Sequence, residues 1–174
     1  MHEFCESLVQ QIDIMSEIAS AFSNFAEMPS ENNEKMNVVA QVKKSLDIFH
    51  EPYIKYSPQK EEIIAKVDKI QLTRIITNLV TNAIHALHQC EDPEIQVKVY
   101  ETGKKVHIDV QDNGKGIENE DASKIFEPKF TTKSSGMGLG LPMVKNIVEA
   151  YNGTISFTAG ANEKTVFSVS LPKE

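Results

Sequence analysis

The sequence has too few cysteines, too little positive charge and too short an apolar run for several whole classes of protein. Cys5 and Cys90 are the only cysteines in 174 residues. Two thiols cannot build the disulfide framework of a small secreted domain, and a reduced intracellular setting fits better. No apolar stretch approaches the roughly 20 residues that a membrane-spanning helix needs. The first residues lack a basic region followed by an apolar stretch, so no secretory signal peptide is read there. Lysine and arginine number 18 against 25 aspartates and glutamates, a net charge of −7. A chain of that sign is a poor general binder of nucleic-acid backbones or anionic membranes. Any phosphate it handles has to be met locally, by backbone amides, a metal ion and a few placed lysines. Internal repeats and low-complexity tracts are also missing.

What is present suits one compact domain with an appendage. Hydrophobic residues make up 40% of the chain and charged ones 25%, enough for a core and not a disordered composition. Residues 3–27 read as one helix, with Leu8, Ile12, Met15, Ile18, Phe22 and Phe25 at spacings of three and four. Met28-Pro29-Ser30 and a polar cluster mark its end. Its apolar stripe needs a partner from elsewhere, or the helix is half of a hairpin. Beyond it, Val38–Phe49 reads as helix, Tyr53–Ser57 and Glu62–Val67 as short strands, and Ile70–His88 as the strongest helix. Glu94–Tyr100 and Val106–Gln111 alternate as a strand pair joined through Gly103. A glycine-punctuated stretch runs from Asp112 to Gly140, followed by a helix over Leu141–Tyr151 and strands over Thr154–Thr158 and Thr165–Leu171. Helices and strands mix without a βαβ rhythm, which points to an α+β two-layer sandwich.

Three elements carry chemistry. On the Ile70–His88 helix, Asn78, Asn82, His85 and Gln89 recur at spacings of four, three and four. At about 100° per residue they fall within roughly 60° of one another, beside the apolar stripe. Such asparagines either cap neighbouring strands and meet solvent, or offer amide oxygens to a hard cation such as magnesium. The second element, Asp112-Asn113-Gly114-Lys115-Gly116, follows a strand. Its carboxylate can accept from an exocyclic amine and its glycines let the backbone approach a flat ligand. The plainer alternative is a turn. The third, Gly136-Met137-Gly138-Leu139-Gly140-Leu141, opens a helix and would present free amides to an anion. It has neither Rossmann nor Walker spacing. Upstream, Phe126-Glu127-Pro128-Lys129-Phe130-Thr131-Thr132-Lys133-Ser134-Ser135 reads as a lid with aromatic anchors, or as a surface loop with solvated lysines.

Taken in order, these elements resemble the N box, first glycine box, F box and second glycine box of the GHKL ATPase superfamily. Within it, the chain is similar to the C-terminal catalytic and ATP-binding domain of sensor histidine kinases. The resemblance rests on Asp68 to Leu72 leading into Asn78-Leu79-Val80-Thr81-Asn82-Ala83, on Asp112 to Ile117, on Ile125 to Lys133, on Gly136 to Leu141, and on Thr165 to Pro172. It covers about residues 36–172. It implies the Bergerat fold, a mixed sheet with helices on one face, here preceded by a long N-terminal helix.

The resemblance also implies roles. Asn82 would coordinate the magnesium ion on the ATP phosphates, with Asn78 one turn earlier by the metal and terminal phosphates. Asp112 would take the adenine amino group, near Thr165, and Gly114, Gly116 and Ile117 would lie against the base. Phe126, Phe130, Thr132, Lys133 and Ser134 would belong to the ATP lid, and Lys133 would touch phosphate in the transfer. Gly136, Met137, Gly138, Leu139, Gly140 and Leu141 would wrap the phosphates, and His85 stands where some relatives place a phosphate-contacting lysine. Lys129 departs from the Asn or Phe of close relatives, and Pro142 from their Ala, although proline is tolerated in a first helical turn.

Residues 1–29 then correspond to the second helix of a dimerisation and phosphoacceptor hairpin, and residues 30–174 to the catalytic domain. The first hairpin helix is expected upstream of this sequence. His2-Glu3 imitates a phosphoacceptor, but Phe4-Cys5-Glu6-Ser7 lacks the motif's proline. The expected activity is transfer of the ATP γ-phosphoryl group to a histidine on that hairpin, then to an aspartate of a response-regulator receiver domain. The full-length protein would be a homodimer, with a cytoplasmic catalytic part, any membrane anchor in other segments and no nucleic-acid partner. This chain by itself is not expected to autophosphorylate. Two other readings stay in view: a serine kinase of the anti-sigma type, and a nucleotide-binding module without transfer activity. Asn78 argues against the first, because relatives that activate water or a hydroxyl usually place a glutamate there.

Overall fold

Alternating apolar residues give three strands one face that can only be buried, and the fold is built on that face. The computed structural model describes residues 34–88, 90–118, 120–127, 138–159 and 164–173. The helix expected over residues 3–27 lies outside them, as do Gln89, Lys129, Phe130, Thr132, Lys133, Ser134, Gly136 and Met137. In chain order the described elements are β1 (Lys35–Asn37), α1 (Val38–Leu46), β2 (Ile54–Pro58), β3 (Ile64–Lys66) and α2 (Lys69–Ala86). Then come β4 (Ile95–Thr102), β5 (Lys105–Asp112), α3 (Gly140–Ala150), β6 (Thr154–Thr158) and β7 (Thr165–Pro172).

Five strands form one sheet in the order β2-β4-β5-β7-β6. Only the β2–β4 pair is parallel, so the sheet is mixed. Register aligns Val97, Val110 and Phe167 in one row and Val99, Ile108 and Val169 in the next, all buried. Helices α2 and α3 lie on this face. They contribute the buried Leu72, Ile75, Ile76, Leu79 and Val80, and Val144, Ile147 and Val148. Each such side chain stabilises the fold by about 1.5–3 kcal/mol through removal from water. The opposite face carries Gln96, Lys98, Tyr100, His107 and Asp109 and stays partly open. This is the α+β two-layer sandwich that the alternation of elements implies.

Three features differ from the sequence reading, the first being that α1 ends at Leu46, three residues before Phe49, with the Asp47 amide closing it on the Lys43 carbonyl. Strand β1 pairs antiparallel with β3 in a separate two-stranded sheet. Three residues are too few to show a period, and the last of them, Asn37, doubles as the cap of α1. Its Oδ1 accepts from the amides of Val39 at 3.0 Å and Ile63 at 3.3 Å. Helix α2 also stops at Ala86, two residues before His88. The carbonyl of Ala86 accepts from the amide of Lys115 at 3.2 Å, so a distant loop takes the place of the next helical turn. Pro142 sits inside the first turn of α3 without disturbing it.

The start of α2 is fixed with equal care. Asp68 Oδ1 accepts from the amides of Ile70 at 2.8 Å and Gln71 at 3.0 Å. The Asp68 amide in turn donates to the Tyr151 hydroxyl at 3.2 Å, tying the beginning of α2 to the end of α3. Asp68→Ala removes this cap and should lower the unfolding free energy by about 1 kcal/mol. Urea denaturation followed by circular dichroism checks this. An unchanged midpoint would mean that the cap does not hold the helix.

Candidate functional site

Helices α2 and α3 run antiparallel, and their contact creates one end of the site. Asn78 is half-buried on α2, and its Nδ2 donates to the Arg74 carbonyl at 2.8 Å. That bond turns Oδ1 toward the first residue of α3. A Cβ on Gly140 would lie 2.8 Å from Asn78 Oδ1, so a larger residue there would have to push the Asn78 amide out of this position. The N-cap residue of α3, Leu139, has no capping side chain, and Gly138 precedes it at φ +63°. A helix start without a side-chain cap leaves amides for an anion. Asn82 is half-buried one turn along α2 from Asn78, and His85 is exposed beyond it.

The C-terminal end of α2 meets the second motif. A Cβ on Gly114 would stand 2.4 Å from the Ala86 carbonyl oxygen, well inside contact distance. Gly114 therefore lets the Asp112–Gly116 turn close on the helix. Eight residues separate Asn78 from Ala86, which sets the two places about 12 Å apart along the helix axis. An elongated ligand fits that spacing.

Asp112 closes β5 and is only 2% exposed. Its Oδ1 accepts from the Gly114 amide at 2.9 Å. Burial pushes its pKa up from the usual carboxylate value, and the Gly114 amide opposes part of that rise. Directly across the ladder stands Thr165, also 2% exposed. Its Oγ1 is buried and has no hydrogen-bond partner among the described residues. A buried hydroxyl without a partner, beside a buried carboxylate, marks a place where a polar ligand edge completes the bonding. Gly116, at φ +76°, and Ile117 are half-buried just beyond the turn.

The remaining described site residues are placed as follows. Phe126 packs edge-on against Phe157, ring centroids 6.2 Å apart, with Lys145 Nζ 5.9 Å from its own centroid. It thus anchors the segment after Asp112 to β6 and α3. Leu141 packs against the core from the first turn of α3. One contributor went unread in the sequence. Asn113 Oδ1 accepts from the Glu94 amide, and its Nδ2 donates to the Asp92 carbonyl, each at 2.8 Å. It ties the turn to the start of β4, and an Asn-Gly dipeptide alone gives no sign of a bond to a residue 19 positions away.

Comparison with known proteins is consistent with this geometry. Residues 67–174, more than half of the chain, match the family described as histidine kinase-, DNA gyrase B- and HSP90-like ATPase. The chain is 42% identical over 107 residues to sensor histidine kinase ZraS of Escherichia coli strain K12, covering 62% of the chain and 23% of that protein. It is 29% identical over 178 residues to ZraS of Salmonella typhimurium strain LT2, covering 98% of the chain and 38% of that protein. The chain thus spans well under half the length of these curated relatives. Among solved structures it resembles the nucleotide-free catalytic domain of histidine kinase ThkA, with a TM-score of 0.72 and 28% identity over 81% of the chain and 95% of that domain.

The burial of Asp112 has a measurable cost. Its pKa is raised in the folded state, so its favourable contribution is complete below the unfolded carboxylate range. That contribution is lost as pH rises through the folded value. Asp112→Asn keeps an acceptor for the Gly114 amide and removes the charge. The variant should unfold at a higher temperature than the parent at pH 7, with the gain fading toward about pH 4. Thermal melts across pH check this, and a pH-independent difference would contradict the burial cost.

Proposed function

The chain belongs to the histidine kinase-, DNA gyrase B- and HSP90-like ATPase family, within it to the sensor-kinase catalytic ATPase domains, and from there we propose how it works. Residues 30–174 are the ATP-binding catalytic domain of a two-component sensor kinase, and residues 1–29 the second helix of its dimerisation hairpin. The domain delivers the γ-phosphoryl group of ATP to a histidine on that hairpin. A receiver-domain aspartate of a response regulator takes the group next. The observation that carries this reading is the alignment of two unlike features along one helix. Asn78 faces the open start of α3 from the middle of α2, and the buried Asp112–Thr165 pair lies beyond Ala86 at its C-terminal end.

In this assignment Asp112 accepts from the adenine amino group, and Thr165 Oγ1 finds its missing partner at the same edge. Gly114, Gly116 and Ile117 border the base. Gly136, Met137, Gly138, Leu139, Gly140 and Leu141 lie around the phosphates, with Lys133, Thr132, Ser134, Phe126, Phe130 and His85 on the lid side and rim. The amide oxygens of Asn82 and Asn78 are the hard donors that magnesium prefers. Asn82 would hold the ion, which when bound neutralises phosphate charge. The rest of the work is positioning, which phosphoryl transfer mostly requires. An imidazole nitrogen attacks the γ-phosphorus as the bond to the bridging oxygen breaks and ADP departs. Asn78 has no basicity to activate water, so hydrolysis stays slow.

The test mixes this chain with labelled ATP, magnesium and a separate hairpin bearing the phosphoacceptor histidine. Acid-labile label should appear on the hairpin and not on this chain, and Asn82→Ala should abolish it together with magnesium-dependent ATP binding. GTP should bind on the order of tenfold or more weakly, because a guanine carbonyl facing Asp112 leaves two acceptors unpaired. Acid-stable label on serine would indicate a serine kinase, and equal ATP and GTP affinities would remove Asp112 from the adenine site.

A further inference from the structure

Charge is distributed unevenly along the chain. Residues 1–33 contain six carboxylates, Glu3, Glu6, Asp13, Glu17, Glu27 and Glu31, and neither lysine nor arginine. That segment therefore accounts for nearly all of the net charge of −7, and the rest of the chain is close to neutral. The described residues hold a groove with the matching character. It lies between α1 and α2, has a volume of about 270 Å³, and is lined by Lys44, Lys69, Ile70, Thr73 and Arg74 among others, with no carboxylate. Ile70 is 64% exposed, unusual for an aliphatic side chain on the best-packed helix of the fold.

The path of the chain brings the acidic segment to this groove. The Glu34 carbonyl accepts from the Val67 amide at 3.4 Å, so Glu34 is held beside the residue that precedes the Asp68 cap. Lys69 and Ile70 follow at once. Glu31 is three residues from that anchor and Glu27 seven. At no more than about 3.6 Å per residue they reach up to about 11 Å and about 25 Å from it, enough to run along the groove.

We propose that Glu27-Met28-Pro29-Ser30-Glu31-Asn32-Asn33 docks in the α1–α2 groove of its own chain. Met28 covers Ile70, while Glu27 and Glu31 lie beside Lys44 and Lys69. The docked strap is an electrostatic joint between residues 1–26 and the domain. Ion pairs on a surface are weak and screened by salt, so the joint opens as ionic strength rises. This inference goes beyond the nucleotide site and does not depend on it.

Hydrogen exchange on the full chain, read on peptides covering residues 27–33 and 69–74, tests it. Lys44→Glu with Lys69→Glu should speed exchange in both peptides on the order of tenfold, and so should about 1 M salt in the parent. Adding Glu27→Lys and Glu31→Lys to the first pair should restore slow exchange. Unchanged exchange in β4 and β5 confirms that the variants fold. Free exchange of residues 27–33 in the parent, or protection indifferent to both lysines, overturns the proposal. Protection that grows with protein concentration also overturns it, by giving the groove to a second copy.

Discussion

Helix α2 is held along its length by groups from other parts of the chain, and the candidate site exists only because of that. Its first residues are capped by Asp68, whose amide donates to the Tyr151 hydroxyl at the end of α3. Its last carbonyl, on Ala86, accepts from Lys115 in the turn after β5. Between these points Asn78 meets Gly140 at the start of α3. A helix fastened this way acts as a rule between two loops far apart in sequence.

The packing on either side makes this rigidity affordable. The sheet-facing stripe of α2 is almost entirely aliphatic and fully buried. Against that background the fold tolerates a carboxylate and an unpartnered hydroxyl at the end of the central strands. Asp112 and Thr165 sit in the same ladder position, where a packed core would otherwise place valine or isoleucine. Sites that recognise polar ligands commonly give up stability in this way.

Much of this was legible from side-chain period alone. The i, i+3, i+4 pattern from Leu72 to Ala83 and the alternation in β4, β5 and β7 each reflect burial on one face, which is what periodicity measures. Asn78 and Asn82 were legible because one helical turn puts them on one side. Features made by distant partners were not. The end of α2 depends on Lys115, the role of Asn113 on Glu94 and Asp92, and the pairing of Thr165 with Asp112 on strand register. Strand β1 was too short to show a pattern, and nothing local reveals that β2 runs parallel to β4. Phe126 shows the same limit, since its partner Phe157 lies beyond the second glycine motif.

The central claim is that the middle of α2, at Asn78, and its C-terminal end, at Ala86, belong to one ligand site. Amide nuclear magnetic resonance during titration with a nonhydrolysable ATP analogue and magnesium tests it most directly. The signals of Gly114, at the Ala86 end, and of Gly140, beside Asn78, should both shift and should follow a single saturation curve. Movement at only one of the two, or two curves with different midpoints, would contradict the account.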